Sequence, residues 1–285
     1  RRLAQLESVT DSQVANELAT HVTHAGAPAP SVEALLHALL PHKFVDHTHA
    51  DAVLSVTNTA DGEKRIREIY GDQAVVIPYV MPGFDLARAC AVKFPAEAGA
   101  NTIGMVLMRH GVFSFGRSAR ESYGRMIQLV QLAEDYLSRR RAWSLPKPPD
   151  DAAGKPPRCD LATLRRDLSA AAGFPLVMRC HPDARCISFA RRLGAREIAP
   201  GPITPDHVIL TKQLPVIGRD VAAYAQAYRD YFNEHAPRAK EWKRMIPSNA
   251  HLMSAPESSA DTGVGAWLCA SGSHMCSGAR PALVP

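Results

Sequence analysis

The sequence predicts an α/β (α+β) fold in which a three-layer domain is joined to a small second α/β unit. Three observations carry that expectation. Strand and helix patterns alternate over residues 1–144, a Pro-rich stretch interrupts them at 145–158, and they resume over 159–244. With 285 residues, 46% of them apolar and 21% charged, the chain can bury a substantial core.

In order along the chain, a short helix is expected from Ser12 to about His21. Ala27 to Pro30 breaks the pattern. Ser31 can then cap a helix running to about Leu40, with Val32, Leu35, Leu36, Leu39 and Leu40 on one stripe and Pro41 closing it. Phe44 to His49 is extended, residues 50–57 suit strand or helix equally, and Gly62 to Ile69 is a charged surface helix. Ala74 to Val80 is a buried strand that Pro82-Gly83 turns into a helix over Phe84–Val92.

The clearest unit follows. Thr102 to Met108 is an apolar strand, Arg109-His110-Gly111 turns the chain, and Val112 to Phe115 is extended again. Ser118-Ala119-Arg120-Glu121 is a capping-box pattern. It opens a helix whose Tyr123, Met126, Ile127, Val130, Ala133 and Leu137 fall at helical spacing.

Prolines at 146, 148, 149, 156 and 157 mark residues 145–158 as a linker. Beyond it, helices are expected at Leu161–Ala172 and from Val221 to about His235. Strands are expected around Leu176–Arg179, Cys186–Ala190 and His207–Thr211. Residues 245–285 are rich in Ser, Gly and Ala without a period, which reads as a disordered tail.

The net charge of +5 is spread without a basic block, so nothing supports a nucleic-acid partner. No apolar run approaches the roughly 20 residues that span a bilayer, and the N-terminus lacks the apolar core of a signal peptide. A soluble, cytoplasmic protein without a membrane partner is expected. The cysteines at 90, 159, 180, 186, 269 and 276 are irregularly spaced and read as reduced thiols. Cys180-His181 with Cys186 reads as a turn between two short strands rather than a metal cluster, because no second ligand pair follows at the right spacing.

Twelve histidines is a high count, and three stand in informative places. His47-Thr48-His49 lies on an extended segment, where residues two apart project from the same face and two imidazoles can chelate one ion. His110 ends a buried strand before Gly111, which permits a sharp turn and close backbone approach. Three neutral imidazoles leave a coordination position open, as catalytic zinc sites do. Glu33, one turn before His37, opens the helix that leads into the His47 strand, and a carboxylate beside a metal can move protons. Asp46 and Thr48 flank the pair and are candidates to orient an imidazole. His21, His24 and His42 read as surface residues, His207 as structural, and Arg139-Arg140-Arg141 as a solvated helix end.

Taken together, the run from Pro30 to His37, the His47-Thr48-His49 pair and the segment Arg109 to Gly116 resemble the class II aldolase/adducin family. The stretch Ile77 to Gly83 is also similar to that family. The resemblance implies a central, mainly antiparallel sheet and a Zn2+ ion, one per subunit, held by His47, His49 and His110. It implies Glu33 as the acid/base, and a homo-oligomer. A segment like Gly201 to Ile209, and the tyrosines at 224, 228 and 231, resemble the aldolase portion of bifunctional rhamnulose-1-phosphate aldolase/short-chain dehydrogenases.

That subgroup implies cleavage of a ketose 1-phosphate to dihydroxyacetone phosphate and an aldehyde, so a phosphorylated sugar is the expected partner. The alternatives are a pentulose-5-phosphate 4-epimerase of the same family and a non-catalytic, adducin-like module. The family's Gly/Asn/Ser-rich phosphate loop lies upstream of the acidic helix, and the chain starts too late to show a clear copy. No Gly-rich strand-turn-helix motif for a dinucleotide occurs either. The expectation is therefore an aldolase portion without its beginning or its redox partner.

Overall fold

A computed structural model describes residues 9–142, 144, 158–179, 201–205, 213–214, 216, 218–239, 251–254 and 266–271. It divides the chain into two compact units, 1–143 and 144–285.

The first unit is built on a four-stranded mixed sheet. Its strands are β1 (Phe44–Thr48), β2 (Ala74–Ile77), β3 (Gly104–Leu107) and β4 (Gly111–Gly116), in the order β1-β4-β3-β2. β1 and β3 run antiparallel to β4, and only β2 runs parallel to its neighbour β3. The sheet is thus mainly antiparallel, and it is covered on both faces. Val76, Val106 and Val112 point to one side, where α3 (Asp51–Thr57), α4 (Gly62–Tyr70) and α6 (Ala119–Arg139) pack. Val75, Ile77, Met105, Leu107, Phe113 and Phe115 point to the other, under α2 (Ala34–Leu39) and α5 (Phe84–Glu97). Strand side chains alternate between faces, so apolar residues at successive positions of β2 and β3 commit the sheet to a middle layer.

α1 (Asp11–Thr20) is fixed by a capping box. Thr10 Oγ1 accepts from the Gln13 N–H, and the Gln13 side chain accepts from the Thr10 N–H. Three helices of this unit depart from expectation. α2 is shorter: Ser31 Oγ accepts from the Glu33 N–H, residues 31–33 form turns, and Glu33 itself is the cap of a six-residue helix. α5 runs through Pro95 to Glu97 instead of stopping near Val92. A proline in the last turn removes one hydrogen bond, while the continuation buries Phe94 edge-on against Phe115.

The third departure is the face that α6 buries. Tyr123 and Ile127 are 63% and 51% exposed, and the buried stripe is Ser122, Met126, Leu129, Ala133, Tyr136 and Leu137. Here the helix start approaches β4 too closely for a large side chain. The Ser114 hydroxyl donates to the Ser122 carbonyl at 2.8 Å, and a small residue at 122 makes that contact possible. The expected cap is also half displaced. Ser118 Oγ accepts from the Glu121 N–H, but the Glu121 carboxylate accepts from the Arg117 N–H rather than that of Ser118.

Gly104 marks another close approach. A β-carbon there would meet the Leu129 side chain and lie 2.6 Å from the Phe113 carbonyl oxygen on β4. Gly104→Ala should therefore lower stability by about 1–3 kcal/mol, read as a fall in the denaturant midpoint with an unchanged slope. An unchanged midpoint would show that β3 and β4 separate freely.

In the second unit, α7 (Arg158–Ala172), β5 (Val177–Arg179) and α8 (Val221–His235) surround a small core of Leu164, Leu168, Leu176, Val216 and Val221. Arg165 Nε donates to the Leu176 carbonyl at 2.7 Å, and Asp220 caps α8 by accepting from the Ala223 N–H. The tail expected to be disordered contains two strands, β6 (His251–Ser254) and β7 (Ala266–Ser271), which pair antiparallel in the order β5-β7-β6. Backbone pairing needs no hydrophobic period, so a composition rich in Gly, Ser and Ala did not announce it. The linker, the Cys180-His181 turn with Cys186, the strands expected at Cys186–Ala190 and His207–Thr211, and His207 itself lie outside the described residues. No helix among the described residues is long and apolar enough to cross a membrane.

Candidate metal centre

The site forms where the end of β1, the β3–β4 turn and the start of α2 meet. β1 carries His47 opposite Phe113 on the sheet face that α2 covers. The His47 ring stacks on Phe113 with centroids 4.0 Å apart and planes at 18°. Its Nδ1 lies 3.1 Å from the Val112 carbonyl oxygen. A carbonyl only accepts, so this contact puts the proton on Nδ1 and leaves the Nε2 lone pair facing the site. The group that orients His47 is thus main chain from β4.

His49 follows β1 by one residue and turns to the same side, its ring centroid 4.7 Å from that of His47. His110, 1% exposed, stands in the turn between β3 and β4. Its ring centroid lies 5.4 Å from that of His47 and 5.0 Å from that of His49. Glu33, at the cap of α2, reaches down onto the three rings. A single carboxylate oxygen, Oε1, accepts from His110 Nε2 at 2.8 Å and lies 3.5 Å from Nε2 of both His47 and His49. One donor atom from each of the four residues falls within 4.8 Å of the others. All four candidate residues are therefore brought together, from three separate elements.

The electrostatics suit a divalent cation. Hydrogen bonding to His110 above all, with the nearby His47 and His49 rings lowering it further, holds the Glu33 carboxyl far below the usual carboxylate range. Burial holds the His47 imidazole below its ordinary value, against the opposing pull of Glu33. The site thus offers neutral, lone-pair-bearing imidazole beside a full negative charge. His47 Nε2 is buried and makes no hydrogen bond of ordinary length among the described residues. That orphaned nitrogen is the observation that fits a metal ligand, since a buried acceptor without a partner costs free energy in the absence of one. The residues present fit a three-imidazole ion site with an acidic neighbour.

Gly111 makes the convergence possible, through space rather than through backbone freedom. A β-carbon there would lie 2.6 Å from the Thr48 carbonyl oxygen and 2.9 Å from ring carbons of both His47 and His49. The residue of the turn with positive φ is Arg109, at 58°. The sequence placed the special turn conformation two residues too late, at Gly111. Gly111→Ala should weaken divalent-ion binding by about 10–100-fold, the scale of lost ligand support, and should lower the melting temperature as well. Chelator competition checks this; an unaltered dissociation constant would mean the imidazoles can shift at no cost.

Aromatic support around the site was largely missed. His37 meets Phe113 edge-on at 5.4 Å, and His42 stacks on Phe115 at 3.9 Å. His42 is half-buried, not a surface residue, and burial holds its imidazole below the ordinary value. The alternation of phenylalanines at 113 and 115 on one face was the available signal.

The chain is similar to several known proteins. The model of the class II aldolase and adducin N-terminal domain matches residues 5–137, and that of the aldolase class II second domain matches residues 157–267. An uncharacterized oxidoreductase of Bacillus subtilis is 32% identical over 232 residues, covering 76% of this chain and 32% of that protein. The chain thus spans about a third of the length of this curated relative. Among solved structures, the N-terminal class II aldolase domain of a conserved Thermoplasma acidophilum protein shares 39% identity. The match covers 48% of this chain and 62% of that one, with a TM-score of 0.43. A sugar-phosphate aldolase from Thermotoga maritima shares 20% identity over 42% of this chain and 59% of that one, with a TM-score of 0.34.

Proposed function

The chain belongs to the class II aldolase/adducin family, and from that premise we propose that it is a zinc-dependent aldehyde-lyase acting on a ketose 1-phosphate. The substrate would be rhamnulose-1-phosphate-like, cleaved to dihydroxyacetone phosphate and an aldehyde. The observation that supports this reading is the convergence of three imidazole Nε2 atoms on one carboxylate oxygen.

In this reading His47, His49 and His110 hold the ion. Once bound, it would supply Lewis-acid stabilisation of the negative charge that develops on substrate oxygen as the carbon–carbon bond breaks. The chain's own residues do the rest. The Val112 carbonyl fixes the His47 tautomer, and Phe113 fixes the plane of its ring. Glu33, ionised and 22% exposed at its side chain, carries the proton to and from the carbon that becomes nucleophilic in the aldol direction. As the most exposed member of the cluster it has access to substrate and to bulk protons. A homo-oligomer in the cytoplasm is part of the same proposal.

The test is product analysis with the zinc-loaded chain. Rhamnulose 1-phosphate should give dihydroxyacetone phosphate and lactaldehyde, each detected by a coupled dehydrogenase. Interconversion of pentulose 5-phosphates without net cleavage would replace the lyase by a 4-epimerase. One zinc per chain with neither reaction would move the substrate elsewhere, and a chain that binds no divalent ion would favour the adducin-like, non-catalytic alternative.

A further inference from the structure

α6 runs for 21 residues and buries one stripe, from Ser122 to Leu137, against α3, α4 and the sheet. Its other face is open. At about 3.6 residues per turn, Arg120, Tyr123, Gly124, Ile127, Gln131 and Glu134 fall within one arc there. Glu134 is half-buried and the rest are exposed.

Several of these residues lack a local reason. Tyr123 and Ile127, one turn apart, leave large side chains 63% and 51% exposed. Gly124 beside them weakens a helix interior relative to alanine, yet a β-carbon there would meet nothing within 4 Å. Arg120 puts a cation in the first turn, where the helix dipole disfavours it. Neither Arg120 nor Glu134 makes an ion pair or a side-chain hydrogen bond among the described residues.

The arc is, however, its own complement. Arg120 and Glu134 each lie seven positions from Ile127, about 10.5 Å along the axis in opposite directions. A two-fold axis at Ile127 sets a second α6 antiparallel to the first and brings Arg120 of each copy beside Glu134 of the other. The same operation brings Tyr123 beside Gln131. The Gln131 amide nitrogen donates to Asp135 at 2.8 Å, and its oxygen can accept from a phenol. Gly124 then has a use, because a small residue lets two helix axes approach to about 8 Å. A parallel pair would instead set arginine against arginine and glutamate against glutamate, which selects the antiparallel arrangement.

We infer that this face of α6 is a two-fold interface with a second copy of the chain, the two helices packing antiparallel about Ile127. The inference names a surface for the homo-oligomer proposed above and rests on that reading. The contact is isologous, each copy giving the same patch. A single helix pair lies at the small end of specific interfaces, so assembly should depend on concentration. None of the six residues belongs to the metal centre.

Sedimentation equilibrium of the full chain over a wide concentration range tests it. The parent should self-associate. Ile127→Lys should weaken that association by about tenfold or more, since a charge replaces an apolar side chain buried at the axis. Arg120→Glu and Glu134→Arg should each weaken it by about tenfold, because like charges then meet at both ends of the contact. An equimolar mixture of those two variants should associate as tightly as the parent, because opposite charges meet again at both ends. A parent oligomer that none of the three substitutions weakens would overturn the inference and leave the homo-oligomer standing on another surface. Weakening by both charge reversals without recovery in the mixture would overturn the antiparallel pairing. A parent that stays monomeric at every concentration would overturn the homo-oligomer reading and this inference with it.

Discussion

His110→Ala should reduce bound zinc from one ion per chain to almost none and abolish lyase turnover. Two imidazoles on a strand end hold an ion far more weakly than three, because the third contributes both a bond and the closure of the cluster. Loss of groups that only support ligands costs about 10–100-fold in metal affinity, so loss of a ligand should exceed that range. His110 is also buried and bonded to Glu33 at 2.8 Å, so alanine leaves a cavity and removes the carboxylate's shortest hydrogen bond in the cluster. Metal content must therefore be measured on folded material, selected by circular dichroism and gel filtration. His47→Ala should give the same loss of metal by a different route, since it also removes the ring stacked on Phe113. A folded His110→Ala chain that retains stoichiometric zinc would remove His110 from the ligand set.

The particular residues show which parts of this centre a sequence can reveal. Strand geometry made the His47/His49 pair stand out, since residues two apart project to one face, but its reading as a metal pair came from the resemblance to the class II aldolase/adducin family. Glu33 was legible as a helix-opening acid, but nothing local says that a six-residue helix will lie across the β1–β4 face and lower that carboxylate onto the histidines. The groups that orient the ligands were less accessible still. The carbonyl of Val112 belongs to main chain, and main-chain groups have no signature in residue type. Gly111 was noticed, yet its role is space between two strands and two rings, a tertiary fact. On α6 the hydrophobicity pattern favoured Tyr123 and Ile127 for the core, and the short distance to β4 chose Ser122 instead. Periodicity finds which elements exist; the spacing between elements decides which of their residues are buried.

Glu33→Gln separates holding the ion from moving the proton, and it should do so with a large contrast. The amide keeps the size and one acceptor oxygen for His110, so the fold and the three imidazoles should persist and zinc should remain near one per chain. Turnover should fall by about 10²–10⁴-fold, the usual contribution of a positioned general acid/base. The same substitution has a second signature in the metal-free chain. The folded carboxyl of Glu33 lies far below its ordinary 4.5, so its stabilising contribution is present in full above that pH and is lost as acidity carries the solution down toward the folded value. Glutamine has no such component. The metal-free parent should therefore lose stability below about pH 4.5 more steeply than Glu33→Gln, while both share the loss that begins near 6.5 as the depressed His47 imidazole is forced to charge. Denaturant titrations at a series of pH values read this directly. Parallel stability profiles would show that the carboxylate is not held by the three rings in the metal-free chain. Unreduced turnover with zinc in place would give the proton to another residue.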